Sequence, residues 1–422
     1  MDCSGLRDHP GAGAGSGSSC SADARFGIHC GPPGATGRAD RDARPRGPPR
    51  RVTLLVGAAA VSGLRDPCCG GRIASQDTRP ERYAPNPLIE VEPGETIALG
   101  PFDVEWLPIT HSTPETCALS ITAGDSRILH TADWKIDPDP VVGSAWSARR
   151  FKELGDAGID AVICDSTNAL QAGHSPSEGE VAVGLGRAVA ACEGRVVVGC
   201  FSSNVARMHT LAKIAAKTGR YLGVLGRSAS GMARCAQQVG LLPPEFQPIH
   251  AEHLGYLPPP EVLAVATGSQ GEWGAALHRL MNQSHPDVAL DAGDTVILSS
   301  KTIPGNEASV TRLIEGFRAR GITVISADES AEPLHASGHP CQGELTDLYQ
   351  ILKPSLVVPV HGERAHMAAN ADVAKRAGVA ATLTGQNGDL FYLSPTPGVR
   401  RRFAEVGRLE WCEDTERLVG VA

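Results

Sequence analysis

The 422-residue chain lacks four things that would have settled its class early. It has no excess of positive charge: 39 Lys and Arg stand against 47 Asp and Glu, a formal net charge of -8, and the pI is near 6.0. A protein that coats nucleic acid by bulk attraction is thereby excluded, and any such binding has to come from a local site. It has no paired CxxC spacing among its 12 cysteines, which argues against a zinc ribbon or a disulfide framework. Cys164 and Cys200 fall inside apolar strand-like runs, where a reduced thiol packs as a small hydrophobe, and the pattern reads as a reducing, cytoplasmic compartment. Finally, it has no apolar run long enough to span a bilayer of about 30 Å and no tandem repeats. The stretch Val52 to Leu64, after the basic run Arg44 to Arg51, is too short for a span and too far along the chain for an ordinary signal peptide.

What is present divides sharply. Residues 1–85 are rich in Gly, Pro, Ser, Ala and Arg and carry no sustained period of 2 or 3.6, so they are expected to be disordered or badly folded. From Leu88 the pattern changes. IEVEPGETIALGPFDVEWLPITHS alternates as strands broken by Pro-Gly and Gly-Pro turns, and CALSITAGDSRILHTAD continues as a hairpin around Gly124 and Asp125, which predicts an antiparallel β region. After Asp165 strand and helix alternate: RVVVGCF before a helix from Asn204 to Lys217 capped by Ser202 or Ser203, YLGVLG before a helix from Ser228, VLAVATG before one from Glu272, TVILSS before one from Asn306 to Arg320, then TVISA. Repeated units of this kind call for right-handed crossovers and a mostly parallel sheet, so residues 170–327 are expected to form a doubly wound α/β module inserted into another fold.

Chemistry-bearing residues cluster after apolar runs. His111 follows VEWLPIT, Asp133 follows RILHTA and His361 follows SLVVPV, placing metal-ligand types on strand-end loops. A histidine there can offer an imidazole nitrogen to zinc, and an aspartate can bridge two metals. Taken singly, each is more simply a hydrogen-bonded strand-end residue.

Nine blocks in order carry a wider resemblance: ITHSTPET at 109–116, ILHTADWKIDPDP at 128–140, VICDSTNA at 162–169, CFSSNVARM at 200–208, VLGRS at 224–228, ATGSQGE at 266–272, SSKTIPGNE at 299–307, LHASGH at 334–339 and PVHGE at 359–363. Across Leu88 to Leu409 the chain resembles the ribonuclease J family, of the β-CASP branch of the metallo-β-lactamase superfamily. The resemblance implies an α/β fold, a four-layer αββα sandwich over residues 86–169 and 328–410 with a parallel β-CASP insertion at 170–327 and a tail at 411–422. It implies zinc-dependent hydrolysis of RNA phosphodiester bonds, in 5′-to-3′ exonuclease and endonuclease modes. His111, Asp133 and His361 would be metal ligands, Asp133 the bridging one, and Asp165 would orient the histidines. Ser337 and His339 would hold the scissile phosphate, with His339 assisting the leaving oxygen. His335 stands between substrate contact and structural support. At the start of one helix, Ser203, Asn204 and Arg207 could cradle a phosphate, or Ser203 could cap the helix and Arg207 face solvent.

The HxHxDH cluster with which such metal centres normally begin does not occur in the 422 residues, and only His9 and His29 lie in the stretch where it would fall. A reading-frame shift in a high-GC gene and a genuine replacement of the front of the domain are the two explanations. With four ligands missing, the sequence leads to partial zinc binding and to two competing expectations: a ribonuclease of doubtful activity, or a non-catalytic RNA-binding or complex-forming relative. A small-molecule hydrolase fits the HASGH block less well. RNA is the expected partner, with a homodimer, a homotetramer or an RNA-degradation complex as the expected assemblies and no membrane anchor. The chain ends soon after GRLEW, without the further C-terminal domain the resemblance leads one to expect.

Overall fold

The computed structural model describes residues 91–407 throughout, together with the backbone of strands at Phe26–His29 (β1), Val52–Val56 (β2), Leu64–Arg65 (β3), Ile89–Glu90 (β4), Arg408–Cys412 and Arg417–Val421. Apart from β1, β2 and β3, the expected disorder of residues 1–85 lies outside the described residues. The apolar run Val52–Val56 is a strand paired antiparallel with Leu390–Ser394.

A seven-stranded sheet forms the body. Thr96–Leu99 (β5), Phe102–Pro108 (β6), Cys117–Ala123 (β7) and Ser126–His130 (β8) run antiparallel in succession, as the Pro-Gly, Gly-Pro and Gly-Asp turns require. Ala161–Asp165 (β9) then lies parallel to β8, and Leu356–Val360 (β15) parallel to β9, with Ala381–Thr382 (β16) beyond it. β9 and β15 are unbroken apolar runs because both of their faces are covered. On one face pack the helices Ala148–Asp156 (α1), Gln342–Leu352 (α8) and Arg364–Arg376 (α9), burying Phe151, Leu154, Leu345, Leu348 and Tyr349. On the other, Phe102, Val104, Ile121, Ile163 and Val358 meet Phe391 and Leu393 of Leu390–Ser394 (β17), which belongs to a four-stranded sheet with β1, β2 and Gly398–Arg400 (β18). The described residues thus show three of the four expected layers.

Between β9 and β15 the chain builds a second sheet. Val196–Gly199 (β10), Tyr221–Leu225 (β11), Val262–Ala266 (β12), Thr295–Leu298 (β13) and Thr323–Ser326 (β14) are all parallel, in the order β11-β12-β10-β13-β14. Glu178–Ala190 (α2), Val205–Thr218 (α3) and Arg227–Gln238 (α4) cover one face, and Ala276–Met281 (α6) and Glu307–Arg318 (α7) the other. Ala251–Leu254 (α5) is a single turn beside β11. This is the doubly wound insertion read from the alternating pattern. Most helix ends fall within two residues of the expectation, and two features at helix starts differ for a local reason. α3 is capped by Asn204, whose side chain accepts from the Arg207 N–H, rather than by Ser202 or Ser203. α6 starts at Ala276 rather than Glu272, because Gly271 and Gly274 take left-handed backbone that holds the intervening residues in turns. Buried Cys164 and Cys200 pack as small hydrophobes, their thiols pushed up to about 12 and about 11 by burial. Among the described residues no helix is long and apolar enough to cross a membrane.

Candidate metal centre

Three neighbouring parallel strands end side by side. β8 stops at His130, β9 at Asp165 and β15 at Val360, with His130 opposite Ile163 and Asp165 opposite Val360, so the loops leaving them meet at one edge. Asp133 sits on the first loop and His361 on the last. Both loops are bent sharply: Ala132 and His361 adopt left-handed backbone, with φ of 54° and 55°. Non-glycine residues rarely do so, and they persist where surrounding contacts over-determine them. Asp133, Asp165, His339 and His361 each bring a donor atom within 4.8 Å of the others.

Hydrogen bonds aim the imidazoles. His339 Nδ1 lies 2.6 Å from Asp165 Oδ2. His361 Nδ1 lies 2.8 Å from Thr167 Oγ1 and 3.4 Å from Asp165 Oδ1. His111 Nδ1 lies 2.7 Å from the Gly338 carbonyl, which can only accept. In all three rings Nδ1 is held by the protein; His111 Nε2 also lies 3.4 Å from Ser112 Oγ, while in His339 and His361 Nε2 is the nitrogen left to meet a cation or a substrate oxygen. The rings stand in a row, His111 to His339 at 5.1 Å and His339 to His361 at 5.5 Å between centroids. Gly338 is required at its position, since a Cβ there would fall 2.3 Å from the His111 ring. Asn168 ties down the same loop: its Nδ2 donates to Ser337 Oγ at 2.7 Å and to the His339 carbonyl at 3.1 Å.

The electrostatics follow from burial and from the central carboxylate. Asp165 is 1% exposed; burial alone would raise its pKa, but His339 and His361 overcome this and hold it well below the usual carboxylate range. The His361 imidazole is raised to about 9, chiefly by its hydrogen bond to Asp165. His339 is also raised, because Asp165 outweighs its burial. Burial lowers His111 to about 3, helped by His339, and raises the Asp133 carboxyl. The site is therefore a packed alternation of carboxylates and imidazoles in which a cation and protons compete for the same places. Its nitrogen and carboxylate donors fit a borderline-soft divalent ion.

Of the residues singled out from sequence, Asp133, Asp165, His339 and His361 come together, His111 stands against His339, and Ser337 lies on the same loop. His335 does not face the cluster: it lies by Ser299 and Arg207, its Nδ1 is buried without a hydrogen-bond partner, and burial and Arg207 lower it to about 3. The expectation for Arg207 needs correction. It is neither a phosphate contact nor a solvated residue but wholly buried, its guanidinium paired with Glu178 at 3.2 Å and donating to the carbonyls of Ser299 at 3.2 Å and Leu334 at 3.1 Å, and to Ser299 Oγ. Asn204 is buried as the α3 cap and reaches Glu178, while Ser203 is half-buried. Sequence reasoning gave no role to Thr167, although it lies inside the VICDSTNA block, nor to Asn168 or Gly338.

The buried pairs continue. The Glu178 N–H donates to Asp137 Oδ2 at 2.9 Å, and Asp137 pairs with Lys135 at 2.8 Å, both side chains 1% exposed. Lys135 also donates to the Pro176 carbonyl. Lys135 is two residues from Asp133, and Leu334 opens the segment that leads to Ser337 and His339. One buried network thus joins both connections between the main sheet and the insertion to the loops of the site.

Known proteins resemble the chain over much of its length. Residues 193–317 match the family described as Ribonuclease J, beta-CASP domain, and residues 328–383 match Zn-dependent metallo-hydrolase RNA specificity domain. Over these residues the chain is similar to the ribonuclease J family. The chain is 40% identical to Ribonuclease J of Sinorhizobium meliloti over 311 residues, which cover 74% of this chain and 55% of that protein. To Ribonuclease J of Thermus thermophilus it is 35% identical over 358 residues, 84% of this chain and 60% of that protein. To Ribonuclease J of Mycobacterium tuberculosis the identity is 38% over 293 residues, 69% and 52% of the two chains. The chain thus spans somewhat over half the length of these ribonuclease J relatives. Its fold is similar to that of a protein of unknown function from Enterococcus faecalis V583, with a TM-score of 0.56 at 15% identity, over 78% of this chain and 75% of the other. The α/β architecture with its parallel insertion is that of the metallo-β-lactamase superfamily to which the ribonuclease J β-CASP domain belongs.

Proposed function

We propose that the chain is a zinc-dependent RNA phosphodiesterase of the ribonuclease J type, acting in the cytoplasm, with the sandwich at 86–169 and 328–410 and the insertion at 170–327. The observation that carries this reading is the convergence of donor atoms of Asp133, Asp165, His339 and His361 within 4.8 Å of one another, with the His111 ring beside that of His339. Asp133 and His361 would hold the metal, with His111 beside them. A metal bound there would supply Lewis-acid polarisation of a phosphoryl oxygen and a lowered water pKa. The rest is done by side chains. Ser337 and His339 hold the phosphate, and His339, backed by Asp165, keeps a proton at Nε2 for the leaving oxygen. Asp165 also fixes His361, so one carboxylate sets two roles.

A second reading is favoured by one specific observation, the absence of HxHxDH: a relative that binds RNA without cutting it. Bound zinc in the purified chain separates the two. The nuclease reading expects about two equivalents, lost together with RNA cleavage in Asp133→Asn while the far-ultraviolet circular dichroism is kept. Near-zero zinc with RNA binding intact would install the second reading in its place.

A further inference from the structure

Shortly after His339 the chain enters α8, and the third residue of that helix is a carboxylate cut off from solvent. Among the described residues Glu344 forms no ion pair; backbone N–H groups take the place of a cation. Its Oε2 accepts from Cys341 at 2.7 Å and from Ser175 at 3.0 Å, and its Oε1 accepts from Ile136 at 3.3 Å. Charge-assisted bonds of this kind offset the cost of burying the charge.

The ordinary reason for a glutamate at this position is helix capping. Glu344 closes a capping box with the Cys341 N–H, and its charge suits the positive end of the helix. Capping accounts for one of the three bonds and needs one oxygen, which a glutamine would supply as well. The other two bonds reach segments 169 and 208 positions away.

Those segments lead to the loops of the site. Ile136 follows Asp133 on the loop leaving β8, and Cys341 follows His339. Ser175 lies in the connection from β9 to the insertion, and its Oγ donates to the His339 carbonyl at 2.9 Å. Glu344 thus reaches the phosphate loop twice, once directly and once through Ser175. The helix beneath it is a firm base, with Leu345, Leu348, Tyr349 and Leu352 buried in the main core.

We infer that Glu344 is a positioning residue, which fixes the loop of Asp133 against the loop of Ser337 and His339 and so sets where a metal stands relative to a phosphate. The inference rests on the proposed function and gives it a residue that touches neither metal nor substrate. Both carboxylate oxygens are used, because the donors from the two loops are divided between them.

Substitution can separate the two oxygens. In Glu344→Gln the amide oxygen can keep the two shorter bonds, which turns the NH₂ group toward the Ile136 N–H, donor against donor. Hydrogen exchange should then be at least about tenfold faster at Ile136 and near parental at Ser175 and Cys341. Zinc affinity, by chelator competition, should fall about tenfold, while calorimetry on the zinc-loaded chain should find the affinity for inorganic phosphate largely kept. Ser175→Ala frees the His339 carbonyl and should do the reverse, weakening phosphate and sparing zinc. Leu348→Ala, in the same helix, should lower the unfolding midpoint and move neither affinity. Parental zinc affinity in Glu344→Gln, in a parent that binds zinc, overturns the inference and leaves the proposed function standing. An equal loss in Leu348→Ala overturns it too, as do losses that fail to separate between Glu344→Gln and Ser175→Ala. If Glu344→Gln does not fold, the parent decides: zinc should slow exchange at Ile136, Ser175 and Cys341 together, and exchange indifferent to zinc overturns the clamp. A parent that binds no zinc removes the functional reading and this one together.

Discussion

The loops of the metal centre and the junction beneath the insertion are made of the same kinds of residue, yet they treat charge in opposite ways. At the junction the charges are paired and shielded from solvent: Lys135 with Asp137, Glu178 with Arg207, all nearly or wholly buried. In the centre, Asp133, Asp165, His339 and His361 converge with more donors than the protein satisfies, and His361 remains 45% exposed. A balanced network makes a geometry rigid, and an unbalanced one creates an appetite for a ligand. The two lie a few residues apart along the chain, so the rigid one positions the hungry one.

The contrast can be broken from either side, and the largest effect is expected in the centre. Replacing residues 1–85 by a segment containing HxHxDH should raise RNA hydrolysis by about two orders of magnitude or more, since an incomplete ligand set is completed. The gain should vanish in the same chimera carrying Asp133→Asn. At the junction, Arg207→Ala leaves Glu178 buried and unpaired and should cost about 3–5 kcal/mol in urea unfolding. Adding Glu178→Gln should return part of that loss, and a double mutant no better than the single would show that the pair is not coupled. Thr167→Ala removes the hydroxyl at His361 Nδ1 without touching the core, so zinc affinity should fall about tenfold to a hundredfold, measured by chelator competition, with the unfolding midpoint held. The smallest effect is with pH. His361, raised to about 9, must lose its proton to bind a metal, so zinc uptake should strengthen steadily as pH rises from neutrality toward 9. A flat profile would place the titrating proton elsewhere.

Much of this was legible in the sequence, for physical reasons that differ by element. The apolar runs at β9, β12 and β15 are unmistakable because both faces are buried, and the antiparallel hairpins are punctuated by Gly and Pro. His111, Asp133 and His361 stood out only together, as members of the ordered blocks at 109–116, 128–140 and 359–363. Arg207 did not declare itself. An arginine in the first turn of a helix reads as solvated or anion-binding, and what buries it are Glu178, Ser299 and Leu334, 29, 92 and 127 positions away. The late start of α6 depends on backbone sign at Gly271 and Gly274, which local propensity does not reveal. Thr167 was hidden by its ordinariness: only its distance to His361 distinguishes it from a turn residue.

The position of β15 has a consequence for how the chain is made. β9 is flanked by β8, completed before it, and by β15, which leaves the ribosome only after the whole insertion. Throughout that interval Ala161–Asp165 presents an unpaired apolar edge of the kind that recruits other strands. The buried chain from Lys135 to Leu334 cannot close until the insertion has folded, because three of its members, Arg207, Ser299 and Leu334, are contributed late. In synthesis the insertion is therefore complete before β15 becomes available to pair. A nascent chain stalled just before Leu356 should accordingly hold a protease-resistant insertion beside a host sheet that is still open to chaperones.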